Sequence, residues 1–240
     1  MKTIFLILGM ILVIIVLGAL LALGYFGLTP FAKIFGSDKP RDLGISYTAE
    51  DYKTADEKAK VKIIVSEGQV SDKESIVCKG AKEVKSSFSD KELTAVINEH
   101  QNNWKYYPVS NVQLRIGDDG FAQISGILRL NRLQGYANAT GIPLSNIQVF
   151  DKFKMFANIP FYAEGTAGVL NNKVNLNLNK MELGRITIPS SAFSENREAI
   201  SSFLSSHLQV YQGLTIRSLA FDKGQMSFDG TLPESIETYK

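Results

Sequence analysis

An uninterrupted apolar run at the start of the chain leaves few structural options. From Thr3 to Leu28 there is no charged residue. In a helix those 26 residues rise about 39 Å, more than the ~30 Å hydrocarbon core of a bilayer. Only a helix or a closed barrel satisfies its backbone hydrogen bonds in lipid, so a spanning helix is the expected form. Tyr25 and Phe26 fall near one end, where aromatic side chains favour the membrane interface. A cleaved signal peptide is the rival: Lys2 supplies a minimal basic start and Ala22-Leu23-Gly24 a small-residue cleavage site. Signal peptides carry about 7–15 apolar residues and this run is longer, so the expectation is an uncleaved signal-anchor over 1–28, in contact with the bilayer through 3–28. Gly18-x-x-x-Ala22 would let two such helices approach closely, although short residues are common in membrane helices anyway. Large C-terminal domains translocate largely regardless of flanking charge, which places the rest of the chain outside the cytoplasm, in a single-pass protein of the cell membrane.

Residues 29–45, with two prolines and two glycines, read as a juxtamembrane linker. Beyond them, 46–240 reads as an α+β domain, an antiparallel sheet with amphipathic helices packed on it. Thr48, with Glu50 and Asp51 behind it, caps a helix reaching about Lys60. Val61 to Val65 reads as a strand, and 66–87 as a loop with one further short strand. Ser89 and Glu92 form a capping box, with Phe88 and Leu93 as the hydrophobic staple. The helix that follows puts Leu93, Val96, Ile97 and His100 on one face. A hairpin comes next, with Val112, Leu114 and Ile116 alternating on one strand and Ala122, Ile124, Leu128 and Leu130 on the other. The same order returns at Phe193-Ser194, with Ile200, Phe203, Leu204 and His207 on a helix face and a hairpin to Leu232. An internal duplication of units at about 88–130 and 193–232 is therefore expected. Between them, Ile159 to Ala163 leads through an Asn171-Asn172 turn to the alternating strand Val174 to Asn179, which has one apolar and one polar face.

Charge and motif narrow the function. With 26 basic and 24 acidic residues the net charge is +2, too little for a nucleic-acid partner. A single cysteine, Cys78, excludes a disulfide framework. G-x-S-x-G, S-x-x-K, H-E-x-x-H, the P-loop and G-x-G-x-x-G are all missing. No catalytic residue, metal ligand or cofactor is expected. His100 and His207 could pair at a metal or proton-transfer site, but two histidines at helix C-termini suit the helix dipole without one. Asp118-Asp119-Gly120 lacks the ligand spacing of a calcium loop and reads as a turn. Glu164 and Glu182 read as solvated strand residues, Cys78 as an inert thiol, and Asn138-Ala139-Thr140 as a chance sequon.

What remains is a one-sided apolar sheet that either closes as a core or holds an apolar ligand. Its candidate lining residues are Val112, Leu114, Ile116, Ile124, Leu128, Phe161, Val174, Leu176 and Leu178. The order of elements, the strand pair with Gly120 at its turn, Ser125-Gly126 beyond it, and Leu183-Gly184-Arg185-Ile186-Thr187-Ile188-Pro189 before the last helix resemble the YpmS-like and LmeA-like bacterial envelope proteins, relatives of the TULIP-type lipid-binding folds, over about residues 86–232. That resemblance implies an envelope role handling lipid, with no cofactor. The expectation is a non-catalytic, membrane-anchored protein binding a lipid or other apolar envelope ligand. Its alternatives are a scaffolding module that binds envelope proteins and, third, an anchored hydrolase.

Overall fold

The computed structural model describes residues 32–141 and 158–240, together with residues 15, 16, 18, 20–22 and 25. Among the described residues no helix is long and apolar enough to cross a membrane. The expected signal-anchor over 1–28, and with it the transmembrane helix in the fold class and the single-pass cell-membrane placement with its extracytoplasmic domain, is corrected accordingly. A span takes about 20 apolar residues in one helix. The longest helix with stated bounds, Arg197–Leu208, has 12 residues and rises about 18 Å. Most of 3–28 lies outside the described residues.

The architecture is α+β, with two sheets and short helices. Strands β1 (Lys62–Ser66) and β2 (Ile76–Lys79) flank β11 (Ser235–Tyr239) in a small sheet, order β1-β11-β2. There β1 runs parallel to β11, from Lys62 opposite Ser235 to Ser66 opposite Tyr239. The large antiparallel sheet has the order β3-β10-β9-β6-β5-β4. Its strands are β3 (Lys82–Ser89), β4 (Val109–Ile116), β5 (Phe121–Arg129), β6 (Asn158–Leu170), β9 (Thr215–Asp222) and β10 (Gln225–Leu232). On the other side of β6 lie β7 (Lys173–Leu183) and then β8 (Ile186–Thr187). One edge of β6 pairs with β5 along Asn158–Thr166 and with β9 along Gly168–Leu170. The long strand therefore joins two halves, and the sheet curls where it changes partner.

Register shifts mark that curl. One falls between Glu164 and Gly165, another between Asp229 and Gly230. A Cβ on Gly165 would collide with the Asn177 carbonyl, and one on Gly230 with the Thr215 carbonyl. Glycine is what lets the neighbouring backbone come so close. At the tip of the β6–β7 hairpin, Asn171 (φ 49°) and Asn172 (φ 60°) supply the two positive φ angles of a tight two-residue turn.

Six helices with stated bounds cover these sheets: α1 (Ala32–Phe35), α2 (Ala49–Ala59), α3 (Asp90–Glu99), α4 (Leu130–Thr140), α5 (Ser190–Ser194) and α6 (Arg197–Leu208). Capping boxes open α2, at Thr48 and Asp51, and α3, at Ser89 and Glu92. Glu92 is buried and meets Lys58 Nζ of α2 at 2.6 Å, which ties the two helices together. Ala55, Val84, Phe88, Ile216 and Phe228 form the core beneath them.

Several segments differ from expectation. Residues 130–140 leave the strand and form α4, because Leu133, Ala137 and Thr140 repeat at helical spacing and all three are buried. The helix expected to open at Ser194 is split: α5 ends there, and α6 starts afresh after Asn196. The described part of the expected linker lies on the sheet, with Leu43 buried, its N–H donating to Gln113 Oε1 (2.6 Å), and Arg41 making a two-pronged pair with Glu182. Each of the two similar stretches does hold a helix and a hairpin. However, α3 packs against β4 of its own hairpin, whereas α6 lies on β7.

Candidate functional site

A cavity of about 470 Å³ lies between the small sheet, helices α2 and α3, and the residues that follow α3. The sequence builds each wall by spacing. On α2, Tyr52, Ala55, Asp56 and Ala59 recur every three or four residues and so share one face. Val96 of α3 and His100, which caps its C-terminal end, are likewise four residues apart. The small sheet contributes Val61 and Ile63 from the start of β1, Ile76 from β2, and Ile236 and Thr238 from β11. Residues 103–109 complete the wall, with Trp104 and Tyr107 turned inward, and Tyr136, Tyr211 and Leu232 close the far end. Asp56 is exposed as well as lining, which marks where the cavity meets solvent.

Hydrogen bonds hold the aromatic wall in place. Trp104 Nε1 donates to Ser75 Oγ at 3.0 Å, and Ser75 Oγ donates in turn to the Asp72 carbonyl. Thr238 Oγ1 donates to the Asn103 carbonyl at 2.8 Å, and Lys105 N–H to the Tyr239 carbonyl at 3.1 Å, pinning this stretch to β11. The Trp104 ring meets Tyr136 at 5.5 Å between centroids. Behind that pair, Tyr136 Oη lies 2.6 Å from His207 Nε2 and 3.2 Å from Tyr211 Oη, with Tyr211 Oη 3.3 Å from the same nitrogen. His207 Nδ1 is buried with no hydrogen-bond partner among the described residues.

The histidines and buried tyrosines around the cavity are held uncharged at neutral pH by burial, which disfavours their ionised forms. Desolvation pushes His100 and His207 below the ordinary histidine value. It raises Tyr107 to about 12 and also raises Tyr136 and Tyr211. His100 Nδ1 accepts from the Asn103 amide at 3.1 Å, and its ring meets Tyr52 edge-on at 5.9 Å. The two histidines serve different surroundings, and among the described residues there is no group of three or more side chains that could hold a metal ion.

None of the nine residues expected to line a ligand site reaches this cavity. Val112 is buried beneath α3, against Gly126, whose open Cα face is also met by the Phe161 ring. Leu114 and Ile124 face each other across β4–β5, and Ile116 and Leu128 sit opposite Ala122 and Val109. Val174, Leu176 and Leu178 lie half-buried on the side of β7 that carries α6. The other residues singled out are engaged elsewhere. Glu182 pairs with Arg41 and with Lys180 (2.8 Å), and Glu164 accepts from the Tyr162 hydroxyl. Cys78 is buried and its thiol is pushed up by desolvation. Phe121 N–H donates to Asp119 Oδ1, as expected of a turn. Asn138 is on α4, donating to Asp72, while Thr140 is buried.

The cavity wall was legible only in part. Its residues come from 52–109, 136, 211 and 232–238, and the signal in hand was the aromatic cluster Trp104-Lys105-Tyr106-Tyr107, which no strand or helix pattern absorbed. Compared with family models, curated proteins and solved structures, the chain matches none.

Proposed function

We propose that the protein binds a lipid or other apolar small molecule in the 470 Å³ cavity, without acting on it chemically. The observation that carries this reading is the wall itself. It is an aromatic and aliphatic concavity within the ~300–1,000 Å³ typical of small-molecule sites. Left uncovered, that wall keeps apolar and aromatic surface in contact with solvent, at about 25 cal/mol for each Å² that an apolar occupant would remove from water. Water is a poor filling, since each molecule needs two to four polar partners and the wall offers few. An apolar occupant covers that surface.

The test is saturable uptake of a neutral environment-sensitive fluorophore such as N-phenyl-1-naphthylamine. One site per chain is expected. Ala59→Phe and Val61→Phe should fill the interior and remove uptake while leaving the melting temperature unchanged or higher. Undiminished uptake by either variant, melting as the parent does, would overturn the reading.

A further inference from the structure

Five aromatic rings (Tyr52, Trp104, Tyr107, Tyr136 and Tyr211) line the cavity, and among the described residues its only formally charged wall residue is an acid, Asp56. The chain carries 26 Lys and Arg residues, yet among the described residues none of them lines this space. The Asp56 carboxylate also takes no part in the ion pairs of the described residues. Tyr52 stands one helical turn before Asp56 on the same face of α2. An aromatic face attracts a cation through its quadrupole, more strongly as the site is desolvated, and a quaternary ammonium suits such a wall because its own hydration is weak.

From these placements, and resting on the apolar-ligand reading above, we infer that the ligand is a lipophilic cation. Its quaternary or tertiary ammonium head sits at the mouth between Asp56 and the Tyr52 ring, and its hydrocarbon body fills the interior toward Trp104 and Tyr136. A carboxylate or phosphate head finds no Lys or Arg in the described wall and meets Asp56 as a like charge. Neutral His100 does not oppose a cation at neutral pH. Lys82 feels Asp56 through space without pairing with it and weakens the attraction. The selectivity is therefore modest rather than absolute.

Calorimetric titration of the full chain at pH 7.5 tests this with three ligands of matched length: a dodecyltrimethylammonium salt, its neutral tert-butyl isostere and dodecanoate, all below micellar concentration. The ammonium ligand should bind tightest, ahead of the isostere by about tenfold, with dodecanoate last. In Asp56→Asn, a change at an exposed, near-isosteric position, that advantage should shrink about three- to tenfold while isostere binding stays as it was. Equal or tighter binding of the isostere would overturn the cation selectivity and leave the apolar cavity standing. An advantage that Asp56→Asn leaves untouched would remove Asp56 from the head-group site. Failure of all three ligands to bind would overturn both readings.

Discussion

At Val112 the backbone of β4 presents an N–H and a C=O to the outside of the sheet, because β4 is its edge strand. Asn98 of α3 meets both: Val112 N–H donates to Oδ1 at 2.9 Å, and Nδ2 donates to the Val112 carbonyl at 2.7 Å. One turn earlier, Thr94 Oγ1 accepts from Leu114 N–H at 3.1 Å. Two polar side chains thus replace the strand that would otherwise pair there, which also blocks edge-to-edge association. Removing one partner strands buried groups at about 1–3 kcal/mol each. Asn98→Ala should accordingly lower the unfolding free energy in urea by about 2–4 kcal/mol. A loss too small to resolve would mean that this edge is not held by Asn98. The buried histidines give a second prediction at this scale. His100 and His207 lie below their ordinary value in the fold because burial disfavours the cation, with Asp56 and Glu99 working against this at His100. The unfolded chain takes up those protons as pH falls through about 6.5, while the folded chain does not. Stability should be full above that pH and decline below it. His207→Gln should make the decline shallower between pH 7.5 and 5.5, and a urea midpoint that is flat over this range in the parent chain would contradict the account.

The elements owe their boundaries to features of very different range. The capping box at Ser89 and Glu92 is a three-residue pattern readable in the sequence, and α3 begins where it says. Ser89→Ala should cost about 1 kcal/mol, measured as a shift in the urea midpoint. The hairpins were equally legible, since Asn171-Asn172 and Lys223-Gly224 provide the positive φ angles that tight turns need. The bulges were not. Gly165 and Gly230 look like ordinary strand glycines until the opposing carbonyls of Asn177 and Thr215 are placed beside them. Gly230→Ala should destabilise the chain by about 2–3 kcal/mol through backbone displacement, whereas Gly141→Ala, beside open space, should be limited to the strain of its positive φ (70°). Comparable losses from both would separate the bulge from any special need for glycine. The small sheet was hidden for a related reason. Its central strand is the last in the chain, and Lys62 pairs with Ser235 across most of the sequence, so no local window contains the partnership.

On the scale of the whole molecule, the large sheet and the cavity have separate tasks. The alternating strands that drew attention in the sequence pack against helices and one another, as a buried sheet face does. The cavity instead forms where the small sheet meets α2 and α3, and the partly exposed apolar side chains of those helices, Tyr52 and Val96 among them, are exposed into it. The chain has one tryptophan, and Trp104, 3% exposed, stands in that wall. Its fluorescence therefore reports directly on what fills the space. The decisive measurement is a titration of the full chain with a long-chain alkyl ligand while Trp104 emission is followed. The account predicts a saturable change that fits one site per chain and is lost in Ala59→Phe. An emission spectrum that does not change up to the solubility limit, or changes equally in Ala59→Phe, would contradict it.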